Sequence, residues 1–255
     1  MQNPKSKIQN GETLMFLGDH TSPDAEGYVR VIRDVLARFH PTLRPNLIST
    51  GSSEQSARAL NSDALLNLLL SSKPDWLIIG IGLADALREP LLAQLIERYK
   101  LETAADAAAD TTFGLDQKTN GSKAPGSRKV ESHRLSRIEQ FETNLGEVIV
   151  RLNSAGIRPA LLTTVLVTQD LTYPLNSVLK TYNSSIRDVA GRNDILLIDI
   201  ERSFADLFSR AGQYKQKVSL AGYRGEISPQ GQALLARTLL QAFDLLPHPG
   251  FRPLR

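Results

Sequence analysis

The stretch TLMFLGDHTSPDAEGYVRVIRDVL, residues 13–36, predicts the fold of the whole chain. Its first six residues, TLMFLG, form an apolar run of strand length. A turn rich in Gly, Ser, Pro and Asp follows, and the apolar residues after it recur at the spacing of an amphipathic helix. The stretch therefore predicts a buried strand, a sharp turn and a helix, which is where an α/β enzyme exposes a reactive side chain. His20 occupies that turn.

The same alternation of short apolar runs and longer helical segments continues along most of the chain. We predict strands at residues 13–18, 46–49, 76–82, 159–166 and 195–200. We predict helices at Asp24–Phe39, Ser56–Ser71, Arg137–Ala155, Leu175–Gly191, Ser203–Ala211 and Pro229–Leu245. Because continuous apolar strands need helices on both faces, the pattern predicts a five-stranded parallel sheet in a three-layer α/β/α sandwich. One sheet predicts a single domain over residues 1–255.

Residues 103–132 interrupt this regularity. The segment just before them, EPLLAQLIERYKL, has helical spacing, whereas residues 103–132 are poor in bulky apolar side chains and rich in Ala, Asp, Thr, Gly and Ser. Such a segment buries too little surface to offset the entropy lost on ordering. We predict a flexible insertion here, which is either disordered or a lid over a functional site.

Composition argues against several classes of protein. The 255 residues are 41% hydrophobic and carry a formal net charge of only +3, with the basic residues dispersed, so we predict no binding to nucleic acid. Cysteine is absent, which rules out disulfides, thiol nucleophiles and thiolate metal sites. The first twelve residues are polar and no run reaches eighteen apolar residues. This pattern predicts a cytoplasmic protein with no membrane association.

A parallel sheet also predicts where a site lies, because ligands bind outside the carboxyl ends of the strands near the point where the strand order reverses. Five segments follow the predicted strands. They are GDHTS, TGSSEQS, GIGLADA, VLVTQD and DIERSF. We expect these segments to converge on one cleft.

The first two of these segments resemble two of the four sequence blocks of a known enzyme family. In GDHTS, Gly18 and Asp19 end the first strand and His20 follows them, and in TGSSEQS a glycine, Gly51, follows the second strand. These blocks resemble the Gly-Asp-Ser block and the glycine block of the SGNH (GDSL-type) hydrolases, a superfamily of esterases, lipases and carbohydrate deacetylases. His20 then stands at the position of the catalytic serine.

The other two blocks of this superfamily also have counterparts. GLAD resembles the family's Gly-x-Asn-Asp block, with Ala84 at the asparagine and Asp85 retained. YRGEISPQG resembles the block Asp-x-x-His that precedes the last helix, with Tyr223 at the aspartate and Glu226 at the histidine. The resemblance covers nearly the whole chain outside the insertion, and it implies a flavodoxin-like sheet with strand order 2-1-3-4-5.

The resemblance implies that the family's chemistry is lost. In the family the serine attacks an acyl carbon, the histidine accepts its proton, and backbone N–H groups and the asparagine amide hold the oxyanion. Loss of one triad residue typically lowers turnover by about 10⁴ to 10⁶, and loss of one oxyanion donor by about 10² to 10³. We therefore predict a non-catalytic protein that binds a small ligand or a protein partner in the cleft formed by the family positions. These are Asp19, His20, Gly51, Ala84, Asp85, Tyr223 and Glu226.

A rearranged active site is the alternative. A histidine oriented by a carboxylate can act as a general base or a nucleophile, so His20 and Glu226 could serve an ester or acyl-carbohydrate hydrolase. Asp19 and Asp85 could extend this pair to a metal site, but no H-x-x-H or H-x-D spacing supports one. GIGLADA lacks the third glycine of a dinucleotide loop. We predict no metal and no cofactor.

Overall fold

The computed structural model describes residues 8–18, 27–51, 55–90, 92, 94–99, 101, 127–167, 170, 173–213, 220 and 227–246. Its centre is a sheet of five parallel strands in the order β2-β1-β3-β4-β5. The strands are β1 Thr13–Gly18, β2 Asn46–Gly51, β3 Trp76–Gly80, β4 Arg158–Leu162 and β5 Leu196–Ile198. The predicted strand number, direction and order are confirmed.

Helices connect the strands along the described residues. They are α1 Tyr28–Phe39, α2 Ala57–Leu60, α3 Asp63–Ser72, α4 Leu83–Leu87, α5 Ser127–Ser154, α6 Pro174–Arg192, α7 Ile200–Gln213 and α8 Pro229–Ala242. Residues 94–99 are also helical. None of the described helices combines the length and the apolar character needed to cross a membrane.

Alternate side chains of the strands enter two separate cores, one on each face of the sheet. Met15 and Leu17 pack with α2, α3, α5 and α6, whereas Leu14 and Phe16 pack with α1, α7 and α8. This is the period-two geometry of a strand applied to a sheet that is buried on both sides. The predicted three-layer α/β/α sandwich is confirmed.

Several predicted boundaries are wrong, and local hydrogen bonds explain them. The helix predicted over Ser56–Ser71 is two helices, because the Ser62 hydroxyl donates to the Ala59 carbonyl and the chain turns there. The last helix ends at Ala242 rather than Leu245, since Asp244 adopts a positive φ of 58°.

The start of α5 also departs from the prediction. This helix begins at Ser127 rather than Arg137, so the backbone of residues 127–132, assigned to the flexible insertion, is helical. Arg128, Lys129 and Glu131 in this stretch have high helix propensity, which favours the helix although the stretch has few apolar side chains. Residues 103–126 lie outside the described residues, and their flexibility stays a prediction.

Candidate functional site

Three glycines lie side by side at the carboxyl edge of the sheet. Gly18 at the end of β1 pairs with Gly51 on one side and with Gly80 on the other. Gly51 has a φ of 146°, which favours glycine because it has no Cβ. At the point where the strand order reverses, these three neighbouring strand ends therefore carry no side chains, and we call them the glycine floor.

The segment after β3 turns sharply into α4 beside this floor. Gly82 has a φ of 128°, and a Cβ there would lie 3.0 Å from Cγ2 of Thr164. Ala84 follows in α4 and is only 3% exposed. A buried methyl group offers no hydrogen-bond donor, so residue 84 contributes only apolar surface through its side chain.

Asp85 is turned toward the β2–α2 connection. Its Oδ2 accepts a hydrogen bond of 3.1 Å from the backbone N–H of Ala57 at the start of α2. Burial raises the pKa of the Asp85 carboxyl to about 6, although the Ala57 hydrogen bond and the charge of Arg88 act to lower it. Asp85 therefore joins α4 to α2 and changes its charge close to neutral pH.

This raised pKa predicts how stability depends on pH. Between the ordinary value of 3.8 and about 6 the folded protein holds a proton that the unfolded chain has lost, so this carboxyl makes folding less favourable as the pH rises. We expect Asp85→Asn to gain about 2 kcal/mol of unfolding free energy relative to the wild type between about pH 4.5 and about pH 7.5.

Urea denaturation of both proteins across that pH range measures the effect. Asp34→Asn, which removes an exposed carboxylate from α1, controls for the loss of a charge. A stability difference between Asp85→Asn and wild type that stays constant with pH would contradict the prediction.

Two buried asparagines of α6 hold the segment that follows β4. Asn183 accepts hydrogen bonds at its Oδ1 from the backbone N–H of Thr164 (2.7 Å) and from its hydroxyl (2.9 Å). Asn176 accepts one of 2.9 Å from the backbone N–H of Val167. Because these side chains take the place of a neighbouring strand, β4 ends at Leu162 and not at 166 as predicted.

An ion-pair cluster fixes the carboxyl end of β5. Arg187 of α6 donates to both carboxylate oxygens of Asp199, at 2.9 and 2.8 Å, and to Glu201 at 2.7 Å. Asp199 also accepts from the backbone N–H of Arg202 and from the hydroxyl of Thr163, so it caps α7 and contacts the end of β4. Burial acts to raise the pKa of Asp199, but the hydrogen bonds and charge of Arg187 hold it below its ordinary value.

The start of α8 completes the described part of this edge. Ser228 caps the helix by accepting a hydrogen bond of 3.1 Å from the backbone N–H of Gly231, and its own N–H donates to the carbonyl of Leu220 at 2.8 Å. A Cβ at residue 231 would collide with that carbonyl oxygen. The Ser-Pro-x-Gly sequence is therefore required by a close approach between α8 and residue 220.

No family model matches the chain. In sequence it is 20% identical over 249 residues to an acetylxylan esterase of Geobacillus stearothermophilus, covering 92% of this chain and 95% of that protein. The crystal structure of Axe2, an acetylxylan esterase from Geobacillus stearothermophilus, superimposes with a TM-score of 0.66 over 96% of this chain and 97% of the other, at 20% identity. The chain has the SGNH hydrolase fold.

A second solved structure with this SGNH fold is LAE5, an α/β hydrolase enzyme from the metagenome of Lake Arreo, Spain. It superimposes with a TM-score of 0.65, at 21% identity, over 94% of this chain and 99% of the other. Solved variants of Axe2 include catalytic mutants in which a serine, a histidine or an aspartate is replaced by alanine. Sequence and fold together are thus similar to those of hydrolases, esterases among them.

The structure describes only part of the predicted SGNH cleft. Gly51, Ala84 and Asp85 lie at the carboxyl edge of the sheet, where the sequence predicted them. Asp19, His20, Tyr223 and Glu226 lie outside the described residues, so the proposed contact between His20 and Glu226 stays a prediction. Within the described ranges, no three His, Asp or Glu side chains form a group that could hold a metal ion.

The sequence analysis missed the polar residues of α6 that shape this edge. Asn176 and Asn183 are fully buried, and Arg187 reaches from the same helix to the end of β5. A signal was present, because the two asparagines fall among the apolar positions of an amphipathic helix, where a polar residue needs a partner. The identity of those partners depends on strands that are distant in sequence.

Proposed function

We propose that this chain is a non-catalytic member of the SGNH fold that binds a ligand in the cleft at the carboxyl edge of its sheet. The observation that carries the proposal is Ala84, a buried methyl group in the block where the family has an asparagine. An alanine side chain cannot hydrogen-bond the oxyanion of an acyl-transfer intermediate. The glycine floor beside it leaves the ends of three strands without side chains.

The sequence of the remaining blocks supports the same proposal. By motif register, His20, Tyr223 and Glu226 stand where the family has its serine, aspartate and histidine. Residues of those three types are the ones replaced in the catalytic mutants of Axe2. A chain that lacks all three, together with the asparagine amide, has no serine to form an acyl-enzyme and no imidazole in that register to accept its proton.

Acylated carbohydrates are the ligands that the comparison favours. The relative that matches 92% of this chain is an acetylxylan esterase, and this chain retains glycines at three neighbouring strand ends. A protein that binds such groups without cleaving them would act as a recognition module. A protein partner is the other candidate for this cleft.

The rearranged hydrolase remains the second candidate, because the relatives are enzymes. In that case His20 acts as general base or nucleophile and Glu226 orients it. Activity on an ester separates the two candidates.

We expect the wild-type protein to cleave p-nitrophenyl acetate no faster than a protein with an exposed imidazole does. The measurement compares initial rates of wild type, His20→Ala and Glu226→Gln over a range of substrate concentrations. If the wild-type rate saturates and falls more than about tenfold in both variants, about 1.4 kcal/mol of transition-state stabilisation is lost at each. That outcome would replace the binding module by the rearranged hydrolase.

A further inference from the structure

A groove of about 910 Å³ runs along the outer face of α5, between α3 and α6. Its base is formed by the α5 residues Glu139, Thr143, Gly146 and Val150, and we call it the α5 groove. These four residues recur at intervals of four, three and four, which places them in one row on the helix. The opposite face of α5 packs in the core against the sheet. The groove therefore lies on the solvent side of the sandwich, apart from the glycine floor.

Two ion pairs form the sides of the α5 groove. On one side Arg151 donates to a carboxylate oxygen of Asp63 in α3, at 3.0 Å. On the other side Arg192 of α6 donates to Glu142 at 2.6 Å. Because these pairs join α5 to both neighbouring helices, the fold sets the position of each side of the groove.

The base of the groove is small and partly apolar. A Cβ at Gly146 would meet no atom within 4 Å, so the space above the helix backbone is open there. Val150 lies one turn further along α5, and it is 58% exposed. A glycine next to an exposed valine allows a second helix to approach the backbone closely and to bury the valine on contact.

The α5 groove has a surplus of negative charge in a chain whose formal net charge is +3. Four carboxylates and two arginines line it, and both arginines are paired with carboxylates. The other two acids are Glu139 and Glu147. Glu147 accepts a hydrogen bond of 2.6 Å from the side-chain amide of Asn61, which leaves its charge in place. Charge complementarity therefore favours an occupant with lysine or arginine side chains, and it disfavours the same face of a second copy.

The length and the surroundings of the groove favour a helix over an extended peptide. Because an α-helix rises about 1.5 Å per residue, the stretch from Glu139 to Arg151 is about 18 Å long, or three turns. An extended peptide gains affinity by pairing with the edge of a sheet, but the sheet lies on the other side of α5. A row of residues spaced by three and four is the surface into which the side chains of another helix fit.

We propose that the α5 groove is the docking surface of a protein partner and takes one face of a basic amphipathic helix. The contact face of that helix covers Gly146 and Val150, and its lysine or arginine side chains reach Glu139 and Glu147. This surface is separate from the carboxyl edge of the sheet, so the inference does not depend on the proposed ligand-binding function.

A synthetic helix serves as the probe. A fluorescently labelled, amidated peptide of about 18 residues carries leucine and alanine at alternating spacings of three and four, with lysine on both flanks. A second peptide has glutamate in place of every lysine. By fluorescence anisotropy, we expect the wild-type protein to bind the lysine peptide at least about tenfold more tightly than the glutamate peptide. Equal binding of the two peptides, or binding of neither, would overturn the proposal.

The substitution Gly146→Leu blocks the base of the groove. Its side chain enters open space and leucine is a better helix former than glycine, so the thermal midpoint should not fall. We expect this variant to bind the lysine peptide about tenfold more weakly or worse, because the leucine occupies the space of the partner backbone. Gln140→Leu adds the same side chain at an exposed position of α5 outside the groove and should leave the affinity unchanged. Unchanged affinity in Gly146→Leu would overturn the proposal.

The double substitution Glu139→Gln and Glu147→Gln tests the charge. We expect it to weaken binding of the lysine peptide about fivefold or more and to reduce the dependence of affinity on salt between about 50 and about 500 mM. Asp34→Asn, which removes an exposed carboxylate from α1, should change neither quantity. An equal loss of affinity in Asp34→Asn would mean that the peptide responds only to the overall charge, and would overturn the proposal.

Sedimentation velocity of the protein without peptide tests the other occupant of this surface. We expect Gly146→Leu to leave the oligomeric state of the wild type unchanged. Self-association of the wild type that Gly146→Leu abolishes would identify a second copy as the occupant and would overturn the basic partner helix.

Discussion

Replacing Gly231 by alanine is expected to destabilise the protein by about 3 kcal/mol or more. An alanine Cβ would collide with the carbonyl oxygen of Leu220 and lie 2.7 Å from Cγ2 of Ile227. The collision is with backbone, which cannot rotate away as a flexible side chain could. The carbonyl of Leu220 is also held by the N–H of Ser228, so relief of the clash breaks that hydrogen bond and moves α8 from residue 220.

A second glycine provides the control for this substitution. Gly146 lies in the interior of α5, and a Cβ there would meet no atom within 4 Å. Alanine at residue 146 should raise the unfolding free energy by about 0.5–1 kcal/mol, because glycine is a poor helix former. Chemical denaturation of both variants measures the pair. Similar stability changes of the same sign would contradict the close approach of α8 to residue 220.

Replacing Arg187 by methionine is expected to cost about 3 kcal/mol. The substitution keeps most of the aliphatic stem but removes hydrogen bonds to Asp199 and Glu201, whose side chains are 27% and 10% exposed. Two partly buried carboxylates are then left close together without a cation. The cost should be largest at neutral pH and should shrink below about pH 4, where the carboxylates accept protons.

The same helix offers the control. Arg192 pairs with Glu142 at 2.6 Å, but its side chain is 60% exposed. Arg192→Met should therefore cost less than about 1 kcal/mol, as expected of a surface ion pair. Denaturation with urea at two pH values measures both variants. If the two substitutions lower the unfolding free energy equally, the Arg187 cluster contributes no more stability than a solvent-exposed ion pair.

The regular elements could be predicted because their cause is local. The apolar run of residues 13–18 is bounded by Gly18, and the strand observed there has the predicted limits. Strands β3 and β4 are shorter than their apolar runs, which extend to residues 82 and 166. The pattern of apolar residues indicates which residues are buried. The length of a strand depends instead on which groups accept its backbone hydrogen bonds. After β4 those acceptors include the asparagines of α6.

The site could be predicted only in part for the same reason. Parallel strand order places Gly51 and the GLAD segment at one edge of the sheet, and this follows from the order of the blocks along the chain. The partners of individual side chains do not follow from it. The hydrogen bond from Ala57 to Asp85, for example, joins residues of two different connections, and their distance is set only when the chain is packed.

The sequence by itself thus determined the layers, because the burial of apolar residues repeats with a period that is visible in any short window of the chain. The strand order was implied by the resemblance of its motif blocks to those of the SGNH hydrolases. The tertiary structure decided which polar groups are paired, including Arg187 with Asp199 and Asn183 with Thr164. A hydrogen bond requires two atoms within about 3.5 Å, and only the packed chain brings atoms from separate elements to that distance.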